Sequence, residues 1–173
     1  MINPIQAKPI SFIAQLYIPA LKGLKTQTRR LIRGLDEKEG WLVKELEGNR
    51  CKLYHPAQGI ETEISSAWEK DDILFLQKYT DMPLSEAETF FRVSAVRAEN
   101  LQEISNADCE KEGILKCETS GLYQGALLPQ SKDYAYYAEI KDAYRSVFEG
   151  IYGDGYWNLN PPVWVYELEI RSL

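Results

Sequence analysis

"LKGLKTQTRRLIRG", residues 21–34, carries five basic side chains (Lys22, Lys25, Arg29, Arg30 and Arg33) and no acidic one. The chain around it has a formal net charge of −6. Thr26 to Ile32 is rich in threonine and aliphatic residues and reads as a strand. Side chains alternate along a strand. Thr26, Thr28 and Arg30 therefore share one face, and Gln27 and Arg29 share the other. Gly23 permits a kink just upstream, which frees Lys25 from the alternation and lets it approach Thr28. A lysine, a hydroxyl and a guanidinium converging in one cleft suit an anionic or polar planar ligand. Partial burial beside Arg30 lowers a lysine pKa, so Lys25 can act as a base toward the threonine hydroxyl. The same run also fits a solvated basic strand edge that discourages aggregation.

Outward from this segment, residues 9–13 are apolar and β-prone. Residues 14–22 read as a short helix that Gly23 ends at the C′ position. "WLVKELEG" and "NRCKLYH" form a hairpin about Gly48-Asn49. "DDILFLQKY" is apolar on both faces, which predicts a central strand. "TFFRVSAVRAENL" predicts a long strand. Ser105-x-x-Asp108 opens a short helix that Gly113 closes. Residues 114–135 hold Gly, Ser, Pro and Gln and read as an irregular surface insertion or lid. Tyr137, Ile140, Tyr144, Val147, Phe148 and Ile151 follow helical spacing up to Gly153. In "PVWVYELEI", Trp164, Tyr166, Leu168 and Ile170 share one strand face. Many short strands with few helices predict an α+β fold, a small mixed β-barrel with flanking helices.

The chain has 173 residues, of which 45% are hydrophobic and 27% charged. That length predicts one domain, 1–173, able to bury a core unaided. A pI near 5.0 argues against general duplex DNA binding, which draws on broad positive charge. Cys51, Cys109 and Cys117 form no Cys-x-x-Cys pair, and His55 is the only histidine. Reduced thiols and a cytoplasmic location are expected, and no metal site or cofactor. "ISFIAQLYIPAL" is too short and too interrupted for a membrane span, so no membrane partner is expected.

Glu112 closes the acidic helix, where a negative charge opposes the helix dipole by roughly 0.3–1 kcal/mol. A cation such as Lys25 relieves that cost. An exposed glutamate without a partner is the plainer alternative.

"GLKTQTRR", residues 23–30, resembles the Gly-x-Lys-x-x-Thr-x-Arg signature of the ASCH domain family, a branch of the PUA-like barrels. "DDILFLQK", "FRVSAVRAENLQEISNADCEKEGI" and "YRSVFEGIYGDGYWNLNPPVWVYELEI" are similar, in the same order, to segments of phage and prophage members. The resemblance covers roughly residues 9–33, 68–113 and 144–170. It implies a five- or six-stranded pseudo-barrel with a cleft lined by the signature. It also implies RNA or nucleotide binding and, in one bacterial branch, removal of the acetyl group from acetylcytidine. By motif, the catalytic lysine, threonine and glutamate of that branch fall on Lys25, Thr28 and Glu112, and the signature arginine on Arg30. Phage members place an Arg-Glu or Lys-Glu pair after the central strand. Gln77-Lys78 stands there in this chain, which puts Lys78 at the rim of the cleft.

The expected ligand-binding residues are thus Lys25, Thr26, Thr28, Arg30, Lys78 and Trp157. Tyr79, Trp157 and Trp164 are the aromatics available for stacking; Trp157, in a Gly- and Asn-rich loop, is the better candidate, while Trp164 reads as core. The leading expectation is a module that binds RNA or a modified nucleoside. The first alternative is an amidohydrolase acting on acetylcytidine-type nucleosides through Lys25, Thr28 and Glu112. The second is a phage-encoded adaptor that binds a protein through the 114–135 insertion. Oligomeric state is open.

Overall fold

Two long strands form the spine of the molecule. The computed structural model describes residues 6–35 and 39–171. Residues 1–5, 36–38 and 172–173 of the expected domain lie outside the described residues. Strand β7 (Phe90–Asn100) and strand β10 (Pro162–Arg171) pair antiparallel along their lengths. Both are rich in β-branched and aromatic residues, which suit a pleated, half-buried surface. Ser94 is the extra residue of a bulge in β7, opposite Glu167 and Leu168. Around this pair stand β1 (Lys8–Ser11), β2 (Gln27–Leu31) and β6 (Ile73–Gln77), in the order β1-β6-β7-β10-β2. The β1–β6 pair is parallel and the others antiparallel.

The two faces of β10 feed two cores. Trp164, Tyr166 and Leu168 point into the first, with Phe91 and Val93 of β7. Val163 and Val165 point into the second, which the helices cover. Ile170, on the same strand face as Trp164, lies outside this core and is 49% exposed. The helices are α1 (Ala14–Leu21), α2 (Asn106–Lys111), α3 (Ile140–Tyr152) and α4 (Tyr156–Leu159). Gly23 follows α1 with φ +69°, as the C′ reading requires.

A second sheet holds β3 (Leu42–Glu47), β4 (Arg50–His55) and β5 (Ile60–Ser65) in that order. Cys51 and Leu53 of β4 are fully buried in the first core. Asn100, at the end of β7, ties this sheet to the spine. Its side chain donates to Trp41 O at 2.8 Å and to Asn160 O at 2.9 Å, and accepts from Val43 N at 3.2 Å.

The 114–135 segment differs from its expectation. Tyr123–Leu127 forms β8, which pairs antiparallel with β9, Tyr134–Tyr137. This hairpin is docked on the helices rather than left loose. Gln15 of α1 holds Gly125 O and Leu127 N, and Ser146 Oγ of α3 accepts from Ala126 N. Gly125 makes the close approach feasible, since a Cβ there would lie 2.3 Å from Ser146 Oγ. Tyr137, counted with the helix, belongs to β9.

The fold is therefore α+β, mostly sheet with few helices. Among the described residues no ladder joins the β1 and β2 edges, so strand pairing does not show the closed barrel expected from the sequence. No helix among them is long and apolar enough to cross a membrane.

Candidate functional site

The basic segment enters β2 beside the end of α2, and a buried ion cluster forms where they meet. Lys25 is 1% exposed and Glu112 4%. Lys25 Nζ lies 2.6 Å from Glu112 Oε2. It also donates to Glu112 O and Gln27 O, each at 2.9 Å. Its three donor hydrogens thus meet three acceptors. The bond to Glu112 O satisfies a carbonyl at the C-cap of α2, a role suited to lysine. Gly113 lets the two segments approach, since a Cβ there would sit 3.1 Å from Lys25 Cβ. Its φ of +93° also disfavours other residues.

Arg29 stands next in this cluster. Its Nε donates to Glu99 at 2.8 Å, its Nη1 to Glu112 Oε1 at 3.1 Å and to the Gln27 side chain, and its Nη2 to Asp108 at 3.0 Å. Arg97 ties Asp108, Glu167 and Glu99 together on the outer side. Buried charges persist when paired and hydrogen-bonded in this manner.

Protonation follows from these surroundings. Burial pushes the Lys25 ammonium below its ordinary pKa; Glu112 opposes this by charge and hydrogen bond, while Arg30 and Arg29 add to it. For Arg29 burial acts downward, but Glu112, Tyr144 and Glu99 outweigh it and raise the pKa. Burial acts upward on Asp108, yet the Gln27 hydrogen bond and the charges of Arg97 and Arg29 hold it below its ordinary value. Tyr144 stays protonated well above the usual tyrosine range, through burial and then the Glu112 charge. The Cys109 thiol is pushed up to about 12, mainly by burial, and is inert.

A cleft of about 510 Å³ opens above the cluster. Lys25, Thr28, Arg30, Glu112 and Lys78 all border it. Thr28 is buried, and its hydroxyl has no hydrogen-bond partner among the described residues. Arg30 Nη2 donates to Ser11 O at 2.7 Å, and the guanidinium lies over the Phe12 ring at 5.7 Å. Lys78 is paired with Glu88 at 2.8 Å on the rim. Tyr144, Phe148 and Tyr152 of α3 supply the aromatic wall.

Two expected residues lie elsewhere. Thr26 falls just before β2, where its backbone bridges Lys111 O and Leu168 N. It borders shallower hollows away from the cleft. Trp157 sits in α4 and packs edge-on against Tyr144, with ring centroids 6.3 Å apart. The Glu149 carboxylate accepts from Gly155 N and Trp157 N and fixes that turn against α3. Trp164 is buried in the first core, as its strand face required. Sequence reasoning missed Arg29, which alternation placed away from the ligand, and the wall tyrosines Tyr144 and Tyr152. Tyr144 was counted as core from its helical spacing. The run of acids at Glu99, Asp108 and Glu112 was the available signal for a buried arginine.

Compared with protein-family models, curated proteins and solved structures, the chain matches none. No group of three or more His, Cys, Asp or Glu side chains among the described residues is arranged to hold a metal ion.

Proposed function

We propose that the cleft binds a nucleoside-like ring, free or within RNA, on a PUA-like barrel of the ASCH type. The observation that carries this reading is the make-up of the cleft: cationic Arg30 and the free Thr28 hydroxyl on one side, the aromatic wall of α3 on the other. Unstacked bases are recognised by aromatic and guanidinium planes together with hydrogen bonds to their edges. The volume of about 510 Å³ suits a small ligand, since such sites span roughly 300–1,000 Å³. The chain's acidity argues against tight duplex DNA binding.

The test is a thermal-shift screen of free nucleosides and short RNAs, because a native-state ligand raises the midpoint. Binding that weakens by roughly 1.5–3 kcal/mol in Arg30→Ala supports the reading, as expected for a lost charge-assisted bond. Unchanged affinity removes Arg30 from the site.

The second reading is hydrolysis of an acylated amine, and the unpartnered Thr28 hydroxyl beside a buried Lys–Glu pair favours it. In the resting state every Lys25 hydrogen is engaged. Lys25 becomes a base only after losing a proton to solvent, which its burial, with Arg30 and Arg29 nearby, makes easier by lowering its pKa. The neutral amine then takes the Thr28 proton as the hydroxyl oxygen attacks the acyl carbon. The leaving amine receives that proton, and water releases the acid from the acyl-threonine. The rate rises with pH through the lowered lysine pKa. Release of acetate from acetylcytidine by the wild type, lost in both Lys25→Arg and Thr28→Val, is the expected result. No acetate from the wild type leaves the binding reading alone.

A further inference from the structure

The chain has eight arginines. Six of them, Arg29, Arg50, Arg92, Arg97, Arg145 and Arg171, make ion pairs with carboxylates. The remaining two, Arg30 and Arg33, have no carboxylate partner among the described residues. Both border the same second pocket, of about 410 Å³, which adjoins the cleft and shares Arg30, Ser11, Gln77 and Tyr152 with it. Among the described residues no aspartate or glutamate lines this second pocket. Arg30 Nε is buried and donates to nothing. Trp68 lines the pocket, with the Arg30 guanidinium 6.0 Å from its ring centre.

We propose that this second pocket is a phosphate subsite, with Arg30 at the saddle between the pockets and Arg33 at the outer edge. The ligand is then a nucleotide or a phosphodiester-linked strand rather than a bare nucleoside. This rests on the nucleoside reading of the cleft for the ring, and on the two arginines alone for the phosphate. Two guanidinium groups with no carboxylate partner among the described residues leave a local positive field in an acidic protein, and such a field gathers anions. Phosphate fits it because a guanidinium fork matches its oxygens. The indole of Trp68 adds a face for a second ring if the ligand is a strand.

The decisive comparison is between the four ribonucleosides, their 3′- and 5′-monophosphates, a cytidine-containing dinucleotide and inorganic phosphate. Each is titrated against the wild type and Arg33→Ala. Arg33 is exposed and holds no ion pair among the described residues, so its loss leaves folding intact. A monophosphate binding at least ten-fold more tightly than its nucleoside is expected. Arg33→Ala should erase that margin and leave nucleoside affinity unchanged. A dinucleotide tighter than either monophosphate identifies a strand as the source of the phosphate, and equal affinity identifies a mononucleotide. Equal binding of nucleoside and monophosphate overturns the subsite and leaves the cleft reading standing. Inorganic phosphate that binds the wild type but not Arg33→Ala, with no nucleoside bound, supports the subsite and overturns the cleft reading. Silence from every probe overturns both.

Discussion

The floor of the cleft and the β3-β4-β5 sheet are both dense in ion pairs, yet the same chemistry does different things in each. On the small sheet, Lys44 pairs with Glu61, Arg50 with Glu63 and Lys52 with Glu45. Those side chains are 41–60% exposed, water already solvates them, and such pairs add little. Below the cleft, Lys25, Arg29 and Glu112 are nearly sealed from solvent. There a charge persists only while its partners hold it. Surface pairs keep the sheet edge soluble, whereas the buried set fixes the geometry of a site.

The sharpest way to break this contrast is to remove one buried partner. Glu112→Ala takes the carboxylate from both Lys25 and Arg29 at once. It should lower stability by about 3–5 kcal/mol, the usual cost of stranding a buried charge. Urea unfolding measures it. A loss below about 1 kcal/mol, the surface-pair range, would show that the cluster behaves like the exposed sheet.

The link between the two regions comes next in size, and it is neutral. Asn100 makes three side-chain hydrogen bonds that join the end of β7 to Trp41, Val43 and Asn160. Asn100→Ala leaves buried backbone groups unpaired, at about 1–3 kcal/mol. Amide exchange should show the loss concentrated in β3 and the Asn160 turn. Uniform loss through the cleft floor would mean the two regions are not separable.

Acid discriminates the regions by sign. The folded-state pKa of Asp108 is lowered, so the unfolded chain takes up the proton first as pH falls. Asp108 therefore contributes stability that is fully present above about pH 4 and is lost as pH falls below that toward its folded value. Asp108→Asn should flatten the acid limb of stability against pH, followed by urea midpoints between about pH 6 and pH 2. An unchanged limb would place the acid response outside the cleft floor.

How much of this could be read beforehand follows from the same contrast. The hairpin about Gly48-Asn49, the long strand β7, the Ser105 cap and Gly23 after α1 are local signals, and periodicity or turn chemistry exposes them. Lys25, Thr28, Arg30 and Glu112 were singled out from the motif and from the poor fit of a glutamate at a helix end. Arg29 escaped because strand alternation says which face a residue takes, not what waits on that face. Its partners Glu99, Asp108 and Glu112 lie 70 to 83 residues away. The β8–β9 hairpin was hidden for a related reason. Its stability comes from docking on α1 and α3 through Gln15 and Ser146, which no short window reports.

The smallest effect is predicted on the exposed sheet. Arg50 pairs with Glu63 across β4 and β5 at 3.2 Å, and the two side chains are 56% and 41% exposed. Holding two long side chains in one geometry costs entropy, and the Coulomb gain in water is slight. Arg50→Ala should shift stability by no more than about 0.5 kcal/mol, as for surface substitutions generally. Raising salt toward 1 M should leave the wild-type and variant midpoints together, because the Debye length falls to about 3 Å. The cleft floor responds differently, since solvent ions do not reach Lys25 or Glu112 and the Glu112→Ala deficit should persist in salt. A deficit of several kcal/mol in Arg50→Ala, or a Glu112→Ala deficit that salt abolishes, would mean that burial is not what separates the two sets of charges.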